Sequence, residues 1–299
     1  MPCPTLSELP PPPSSKIGCP CTEESPPLPE KMPNGSPWPG ITVVTPSYNQ
    51  SEFIEETIRS VLLQSYPDLE YTVMDGGSTD GSVDIIRRYE PWLSYLHIGP
   101  DGGQAAVIAE GFGQAAGEIL AWLNSDDRNR PAALGHVGSF STTHPRVVFG
   151  SGDVNYIEAD GGFLQRLWAI RPTRFLTANL GVHCWPQQGC FWRHSAYEEV
   201  GRIDSSLRFC LNRDLFIRLA GSTPSRRIPG PPLADFRIHD PAKSSTILDT
   251  ARQEGEALQA KYGSPYVRQW KQLLRFLWWF WRQPNRLRGK LHRYFGWEV

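Results

Sequence analysis

The sequence predicts an α/β fold built on a mostly parallel sheet. Two observations lead to this prediction: predicted strands and helices alternate four times at short spacing from Ile41 onward, and a polar motif follows each of the four strands. Such alternation is typical of a doubly wound parallel sheet. Ligands of these sheets bind beyond the carboxyl ends of the strands, where the polar motifs would meet.

Four short runs rich in aliphatic and β-branched residues are predicted as strands: residues 41–45, 69–74, 93–98 and 119–123. An apolar stripe at helical spacing predicts the first helix over residues 52–64, with Asn49 or Ser51 as its N-cap. A second helix runs through Ile85 and Ile86, and a third begins after Gly103. Helices between parallel strands would cover both faces of the sheet.

The polar motifs lie at residues 47–50, 75–80, 101–104 and 124–127. Unpaired carboxylates at the end of a buried strand are costly as structural groups. Hard divalent cations such as Mg²⁺ and Mn²⁺ prefer oxygen ligands, so Asp126 and Asp127 indicate a cation site that would offset the charge of a diphosphate. The alternative is that one of them caps a helix beginning near Pro131. Four polar strand ends at one edge favour the cation site.

The composition and net charge of the chain limit which functions and locations are expected. Residues 1–40 hold nearly half of the 28 prolines and few aliphatic residues, which predicts a disordered Pro-rich tail. The net charge of −1 creates no field that would favour nucleic acid, and none is expected as a partner. The start of the sequence lacks the pattern of a signal peptide, and no apolar run has the length of a spanning helix, so a cytoplasmic location is expected.

Three motifs in this order resemble the inverting glycosyltransferases of family 2, which have the GT-A fold. The motifs are Val43-Val44-Thr45-Pro46-Ser47-Tyr48-Asn49, Asp75-Gly76-Gly77-Ser78-Thr79-Asp80-Gly81-Ser82 and Trp122-Leu123-Asn124-Ser125-Asp126-Asp127. The resemblance covers about residues 41–245 and implies a three-layer domain over residues 41–263, with a central, mostly parallel mixed sheet and a Rossmann-like N-terminal half. It also implies transfer of a sugar from a nucleotide-diphosphate donor to an acceptor hydroxyl with Mn²⁺ or Mg²⁺, in cell-surface polysaccharide or glycolipid synthesis.

The resemblance assigns donor-binding roles to individual positions. Asp75 matches the acid that hydrogen-bonds the nucleotide base, although an Asp before two glycines is also a common turn former. Asp126 matches the usual metal ligand, Asp127 supports it or holds the ribose, and Asn124 stands where the first Asp of the D-x-D motif is often found. Further donor contacts are expected from Pro46, Tyr48, Gln104, Arg237 and Lys243. His239 is expected to ligate the metal or contact a phosphate, with a purely structural role as the alternative.

The acceptor side shows a departure from the family. Relatives usually carry the catalytic base, an Asp, at the position of Asn212, and an amide cannot take a proton from the attacking hydroxyl. The nearest carboxylate is Asp214, which we therefore expect to act as the base. The alternative for Asp214 is a salt bridge to Arg218 one helical turn further on.

Residues 264–299 form a predicted basic, aromatic, amphipathic helical tail. Tryptophans crowd its first half, and eight basic residues face a single acid, Glu298. This composition suits a membrane interface, so we expect a peripheral anchor on the inner face of the membrane that brings the enzyme to a saccharide or lipid-linked acceptor. The alternative is a helix packed on the main domain.

Two other functional classes stay open at this point. A catalytically impaired relative that only binds a nucleotide sugar is favoured by the amide at Asn212 and by Ala106, where relatives often carry Asp. A nucleotidyltransferase also places carboxylates and a metal at strand ends, but it would need a basic, Gly-rich phosphate loop after the first strand. Residues 45–48 do not supply one.

Overall fold

The computed structural model describes residues 3–12, 18, 20–180, 185–222, 224–239 and 248–281. Within them the strands are β1 (Ile41–Ser47), β2 (Leu69–Asp75), β3 (Tyr95–Ile98), β4 (Ile119–Trp122), β5 (Arg128–Asn129), β6 (Phe149–Ser151), β7 (Val154–Ile157), β8 (Phe163–Leu167), β9 (Cys190–Arg193), β10 (Ser225–Arg227) and β11 (Ala234–Arg237). The helices are α1 (Ile54–Leu62), α2 (Ser82–Tyr89), α3 (Gln104–Gly113), α4 (Ala133–Thr143), α5 (His194–Glu199), α6 (Leu211–Ser222), α7 (Leu248–Tyr262), α8 (Pro265–Arg268) and α9 (Lys271–Trp281). The four predicted strands agree with β1 to β4 to within two residues at each end.

The central sheet has seven strands in the order β10-β6-β9-β4-β1-β2-β3. All neighbouring pairs are parallel except those of β9, which runs antiparallel to both β4 and β6. The N-terminal half therefore has the order 3-2-1-4 of a nucleotide-binding half-sheet. The prediction of an α/β fold with a central, mostly parallel mixed sheet and a Rossmann-like first half is confirmed.

Apolar side chains on the two faces of this sheet form two separate cores. Val43 on β1 packs into a cluster with α1, α2 and α4, whereas the next residue, Val44, packs into a cluster with α3, α5 and α6. Successive side chains of a strand point to opposite faces, so this division produces three layers. In the second cluster the ring of Trp122 stacks on Phe216 of α6, with centroids 5.7 Å apart. This contact fixes α6 relative to the end of β4.

A second, four-stranded sheet has the order β5-β11-β7-β8. β11 pairs antiparallel with β5 and parallel with β7. Because β5 begins directly after Asp127 and β11 ends at Arg237, the pairing brings Arg237 and the following residues to the loop after β4. The smaller sheet therefore completes the polar edge of the large one.

The N-terminal segment differs from the prediction of a disordered tail. Residues 20–40 contain no helix or strand, yet Met32 and Trp38 are buried in the first core together with Leu9. The buried guanidinium of Arg59 donates hydrogen bonds to the carbonyl oxygens of Pro10 (2.8 Å) and Cys21 (2.7 Å). The composition of this proline-rich segment indicates disorder. Its few apolar side chains nevertheless pack into the core, and the buried Arg59 guanidinium bonds its backbone, so the segment is attached to the domain.

The C-terminal helices lie beside α6. The hydroxyl of Tyr262 at the end of α7 donates a hydrogen bond to Asp214 of α6 (2.8 Å). On α9, Lys271 bonds Gln259 of α7, whereas Leu273, Phe276 and Leu277 are exposed. Across the described residues, no helix combines the length and apolar character needed to cross a membrane.

Candidate active site

The loops after β1 and β2 are joined at the carboxyl edge of the sheet. The backbone N–H of Asn49 donates to the Ser78 hydroxyl (2.8 Å), and the Asn49 side-chain oxygen accepts from the N–H of Thr79 (2.9 Å). Asp80 accepts from the N–H of Ser51 (2.9 Å). Asn49 and Ser51 therefore do not cap α1, which begins after Phe53 without a side-chain cap. Their polar groups shape the loop instead.

Asp75 lies at the end of β2 and is fully buried. One carboxylate oxygen accepts hydrogen bonds from the N–H groups of Gly77 (3.0 Å) and Ser78 (2.7 Å), and the other accepts from the Ser78 hydroxyl (2.7 Å). The Asp75 side chain therefore forms a turn in this structure, which was the alternative to its predicted role of binding the nucleotide base. It fixes the shape of the loop.

An open surface is formed by Tyr48 next to Gly76. The Tyr48 ring is 63% exposed, and a Cβ added at Gly76 would lie 3.4 Å from it and 2.5 Å from an Asp101 carboxylate oxygen. Loops after three strands thus converge at a glycine with no room for a side chain. Nearby, the buried Ser47 hydroxyl has no hydrogen-bond partner among the described residues, so a polar atom stays available at this edge.

The loop after β4 is hydrogen-bonded to a side chain of α1. The hydroxyl of Thr57 lies 2.9 Å from the carbonyl oxygen of Ser125 and 2.6 Å from that of Asp127. At the start of this loop, Asn124 accepts a hydrogen bond from the side-chain amide of Gln104 (3.0 Å). Gln104 opens α3, so the predicted donor positions on α3 and after β4 are in direct contact.

Asp127 is the centre of a buried polar network. One of its oxygens accepts from the N–H of Arg237 (3.0 Å), and the other accepts from Gln188 (2.8 Å) and Asn124 (3.3 Å). Burial raises the pKa of Asp127 well above its usual range, the charge of Asp126 raises it further, and these hydrogen bonds oppose the shift. Asp127 does not cap α4, whose preceding residue is Ala132. It supports the loop that carries Asp126.

Asp126 and His239 face each other at the opening of this edge. A carboxylate oxygen of Asp126 lies 3.1 Å from Nε2 of His239, and the two side chains are 21% and 6% exposed. The His239 ring packs against Phe53, with centroids 4.6 Å apart, which restricts its orientation. The structure brings together the two residues expected to bind the metal. Among the described residues, no group of three or more His, Cys, Asp or Glu side chains is arranged to hold a metal by itself.

Arg237 was expected to offset the charge of a diphosphate, and the structure corrects this. Its guanidinium is buried and donates to Glu56 (2.6 Å) and to the carbonyl oxygens of Asp126 (3.0 Å) and Ala159. With its donors used inside the protein, Arg237 positions the Asp126 loop and is not open to a ligand. Lys243, which was expected to act with it, lies outside the described residues.

Replacing Arg237 with Met is expected to lower the free energy of unfolding by about 3 kcal/mol, because buried Glu56 loses its 2.6 Å partner and keeps the longer pair with Arg128 (3.5 Å). Urea unfolding followed by circular dichroism measures the change. Arg87→Met is the matched control, since its pair with Glu90 is exposed and worth at most about 1 kcal/mol. Equal losses in both variants would contradict the structural role of Arg237.

The residues predicted to act on the acceptor lie at the start of α6. Asp214 is 1% exposed and accepts from the Arg218 guanidinium (2.9 and 2.5 Å) and from Tyr262. Asp214 therefore forms the i+4 salt bridge that was the alternative to a catalytic base, and neither oxygen is open. Asn212 is partly exposed, and its side-chain oxygen accepts from the N–H of Arg213 (2.7 Å).

Sequence reasoning missed several residues of the network. Gln188 bonds Asp127, and the neighbouring Gln187 donates to the carbonyl oxygen of Trp122 (2.6 Å). Glu56 binds Arg237 from the buried side of α1. The available signals were two consecutive amides in an otherwise apolar segment and a carboxylate inside an apolar helical stripe. Both signals are weak because such residues are ordinarily exposed.

Comparison with known proteins decides the family. The model of glycosyl transferase family 2 matches residues 42–201, which include both the Asp75 loop and the Asp126 loop. The chain belongs to this family. It is 39% identical over 93 residues to the Bacillus subtilis (strain 168) protein TuaG, whose provisional name is teichuronic acid biosynthesis glycosyltransferase. That match spans 30% of this chain and only 37% of TuaG.

Solved structures of glycosyltransferases share the GT-A fold seen here. The family 2 chain superimposes on S. aureus TarS 1–349 in complex with UDP-GlcNAc with a TM-score of 0.55 at 15% identity, covering 75% of this chain and 71% of TarS 1–349. It superimposes on the mannosyltransferase PcManGT from Pyrobaculum calidifontis, in complex with GDP-Man and Mn²⁺, with a TM-score of 0.56 at 19% identity, covering 79% and 68%. The predicted family and the three-layer GT-A fold are confirmed, and the chain is a glycosyltransferase.

Proposed function

We propose that this glycosyltransferase transfers a sugar from a nucleotide-diphosphate donor to an acceptor hydroxyl, with a divalent cation bound by Asp126 and His239. The observation that carries the proposal is the 3.1 Å approach of these two side chains at the carboxyl edge of the sheet. Ligands of parallel sheets bind at this edge. Family membership and the nucleotide sugars bound by TarS and PcManGT support a donor of the same class.

The residues present fit a cation such as Mn²⁺ or Mg²⁺. A carboxylate oxygen and an imidazole nitrogen supply two ligands, and these ions are commonly held by one or two protein groups together with substrate phosphates and water. A positive charge beside Asp126 would also offset the repulsion between Asp126 and the neighbouring Asp127 carboxylate. When bound, the cation would neutralise charge that develops on the departing diphosphate.

The donor would lie along the loops that follow β1, β2 and β4. The exposed Tyr48 ring beside Gly76 offers a flat surface for the nucleotide base, next to Pro46 on β1. Asp75 shapes this loop from below. Gln104 and Asn124 hold each other close to Asp126 and Asp127, so they would orient the ribose and diphosphate side of the donor.

The acceptor hydroxyl would attack the anomeric carbon from the side opposite the diphosphate, which inverts the configuration. Asn212, at the start of α6, would hold this hydroxyl by a hydrogen bond, and the hydroxyl proton would pass to solvent water because an amide cannot take it. This amide also favours a second candidate function: a relative that binds the nucleotide sugar but turns it over slowly.

The acceptor that we propose for the sugar is a cell-surface saccharide or a lipid-linked acceptor.

A panel of nucleotide sugars tests the proposal. Binding is measured by calorimetry with Mn²⁺ or with EDTA, and nucleotide release is measured with Mn²⁺, where water takes the place of the acceptor hydroxyl. We expect one donor to bind far more tightly with the cation than with EDTA and to release its nucleoside diphosphate. Cation-dependent binding without release would identify the slow relative. Failure of every donor to bind in a cation-dependent way would overturn the proposed function.

We further propose that α9 rests on an anionic membrane surface. Trp270, Leu273, Phe276 and Leu277 are exposed, with Lys271 and Arg275 on the same short segment. Exposed apolar side chains beside cations suit the interface between acyl chains and anionic headgroups. Lys271 and Leu274 lie on the less exposed side of α9, so the helix is attached to the protein and still presents an apolar surface outward.

A double variant that carries both Leu273→Gln and Phe276→Gln is expected to bind anionic vesicles about tenfold more weakly or worse. Each apolar side chain that is buried in the membrane contributes roughly 1.5–3 kcal/mol to the free energy of binding. Vesicle flotation measures the bound fraction. Phe163→Gln is the control, because Phe163 is more exposed than either residue but lies on β8. Unchanged flotation of the double variant would exclude α9 as the anchor.

A further inference from the structure

A cavity of about 250 Å³ lies between α6, α7 and α9, away from the loops of the donor site. Four cationic side chains line it: Arg213, Arg252, Lys271 and Arg275. Among the described residues that line it, the single carboxylate is Glu256. Such an excess of positive charge around one small space attracts an anion.

Arg213 is the most unusual member of this group. Its side chain is largely buried, with the whole residue only 9% exposed, yet it forms no ion pair with any described residue. Within the described ranges its terminal nitrogens approach only neutral groups, the carbonyl oxygens of Thr177 (3.2 Å) and Gly255 (3.5 Å). Its Nε has no hydrogen-bond partner in the described part of the chain. A buried guanidinium without a counter-charge is costly, so an anion would stabilise it.

The acids near this cavity do not supply that counter-charge. Glu254 of α7 is occupied by the backbone N–H groups of Arg208 (2.8 Å), Phe209 (3.0 Å) and Cys210 (2.8 Å). Glu256 is largely exposed, and its recorded ion pair is with Arg252 at 3.8 Å. A ligand would therefore meet Arg213 from the cavity with two further cations, Lys271 and Arg275, on the α9 side.

The position of the cavity links it to the acceptor. Arg213 directly follows Asn212, where we place the acceptor hydroxyl, and Lys271 and Arg275 belong to the helix whose other side is exposed and apolar. We propose that the cavity binds a phosphate or diphosphate group carried by the acceptor. Arginine binds phosphate oxygens through several N–H donors at once, which suits this role. The link to the acceptor rests on the proposed function, whereas the anion site itself does not.

Inorganic pyrophosphate is the probe for the site. Thermal unfolding and calorimetry are carried out in EDTA without any sugar donor, so the result stands whether or not the donor panel finds a donor. We expect pyrophosphate to raise the Tm of the wild type. We expect it to bind Arg213→Gln about tenfold more weakly or worse, because a hydrogen bond to a charged group is lost.

Two further variants keep the test decisive if Arg213→Gln fails to fold. Arg275→Gln changes an exposed cation of the cavity and should also weaken pyrophosphate binding, whereas Arg87→Gln on α2 should bind like the wild type. Equal affinity in Arg275→Gln, Arg87→Gln and the wild type would overturn the site.

Vesicles identify the source of the phosphate. Vesicles made equally anionic by a polyprenyl diphosphate or by phosphatidylglycerol are compared for the wild type and Arg275→Gln, because Arg275 also lies beside the apolar surface of α9 that we place on the membrane. A gain in binding that the variant loses would assign the cavity to a lipid-linked acceptor. If the variant loses pyrophosphate binding and the diphosphate lipid gives no gain in the wild type, the phosphate belongs to a water-soluble acceptor.

Discussion

Replacement of Asn212 by Asp is expected to raise the rate of nucleotide release by about 100-fold, the lower end of what a positioned general base contributes. The carboxylate would lie at the start of α6, keep the hydrogen bond from the N–H of Arg213, and take the proton that an amide cannot accept. Donor affinity should stay unchanged, because the residue acts on the acceptor. The measurement is nucleotide release at saturating donor and cation.

Asn34→Asp is the matched control for Asn212→Asp. Asn34 is exposed on the N-terminal segment, and its side-chain oxygen accepts hydrogen bonds from Ser36 that an Asp would also accept. The control should leave the rate unchanged. If Asn212→Asp has no effect while Asp214→Asn abolishes release and stays folded, Asp214 is the base despite its salt bridge, and our account of α6 is wrong.

Replacement of Asp126 by Asn is expected to weaken cation-dependent donor binding by about 100-fold, equivalent to about 2.7 kcal/mol. The change keeps the shape of the side chain but removes the charge that a divalent cation requires. Binding in EDTA should fall little, because the donor contacts from Tyr48 and Gln104 stay in place. Calorimetry with and without Mn²⁺ separates the two contributions.

Asp68→Asn is the control for Asp126→Asn. Asp68 is exposed immediately before β2, at the opposite edge of the sheet from the site, so it removes the same charge without reaching the donor. If Asp126→Asn binds the donor with the same dependence on Mn²⁺ as the wild type, the cation is not held by Asp126.

The sequence predicts the N-terminal half of the fold because its signals are local. β1 and β2 are short apolar runs followed by polar turns, and their order fixes a parallel sheet. The packing of residues 20–40 could not be predicted, because it depends on Trp38 and Met32 meeting a core made by distant helices. Composition measures how much apolar surface a segment carries, but it does not indicate whether another surface fits it.

In the candidate site, too, the sequence predicted the residues that belong to motifs but not the contacts that depend on the tertiary structure. Asp126 and His239 are 113 residues apart, yet motif order placed both near the metal, and the structure brings them together. Arg237 was assigned to the ligand because a cation beside His239 suits a diphosphate. Its actual partner, Glu56, lies 181 residues away on α1, and only the tertiary structure shows that this pair is buried.

Crystals soaked with Mn²⁺ and the nucleoside diphosphate found by the donor panel provide the most direct test of the central claim. Anomalous scattering from manganese locates the cation independently of the protein atoms. We predict one strong peak within bonding distance of the Asp126 carboxylate and Nε2 of His239, with the diphosphate completing its ligands. A peak elsewhere, or a bound nucleotide with no peak between these two residues, would contradict the account.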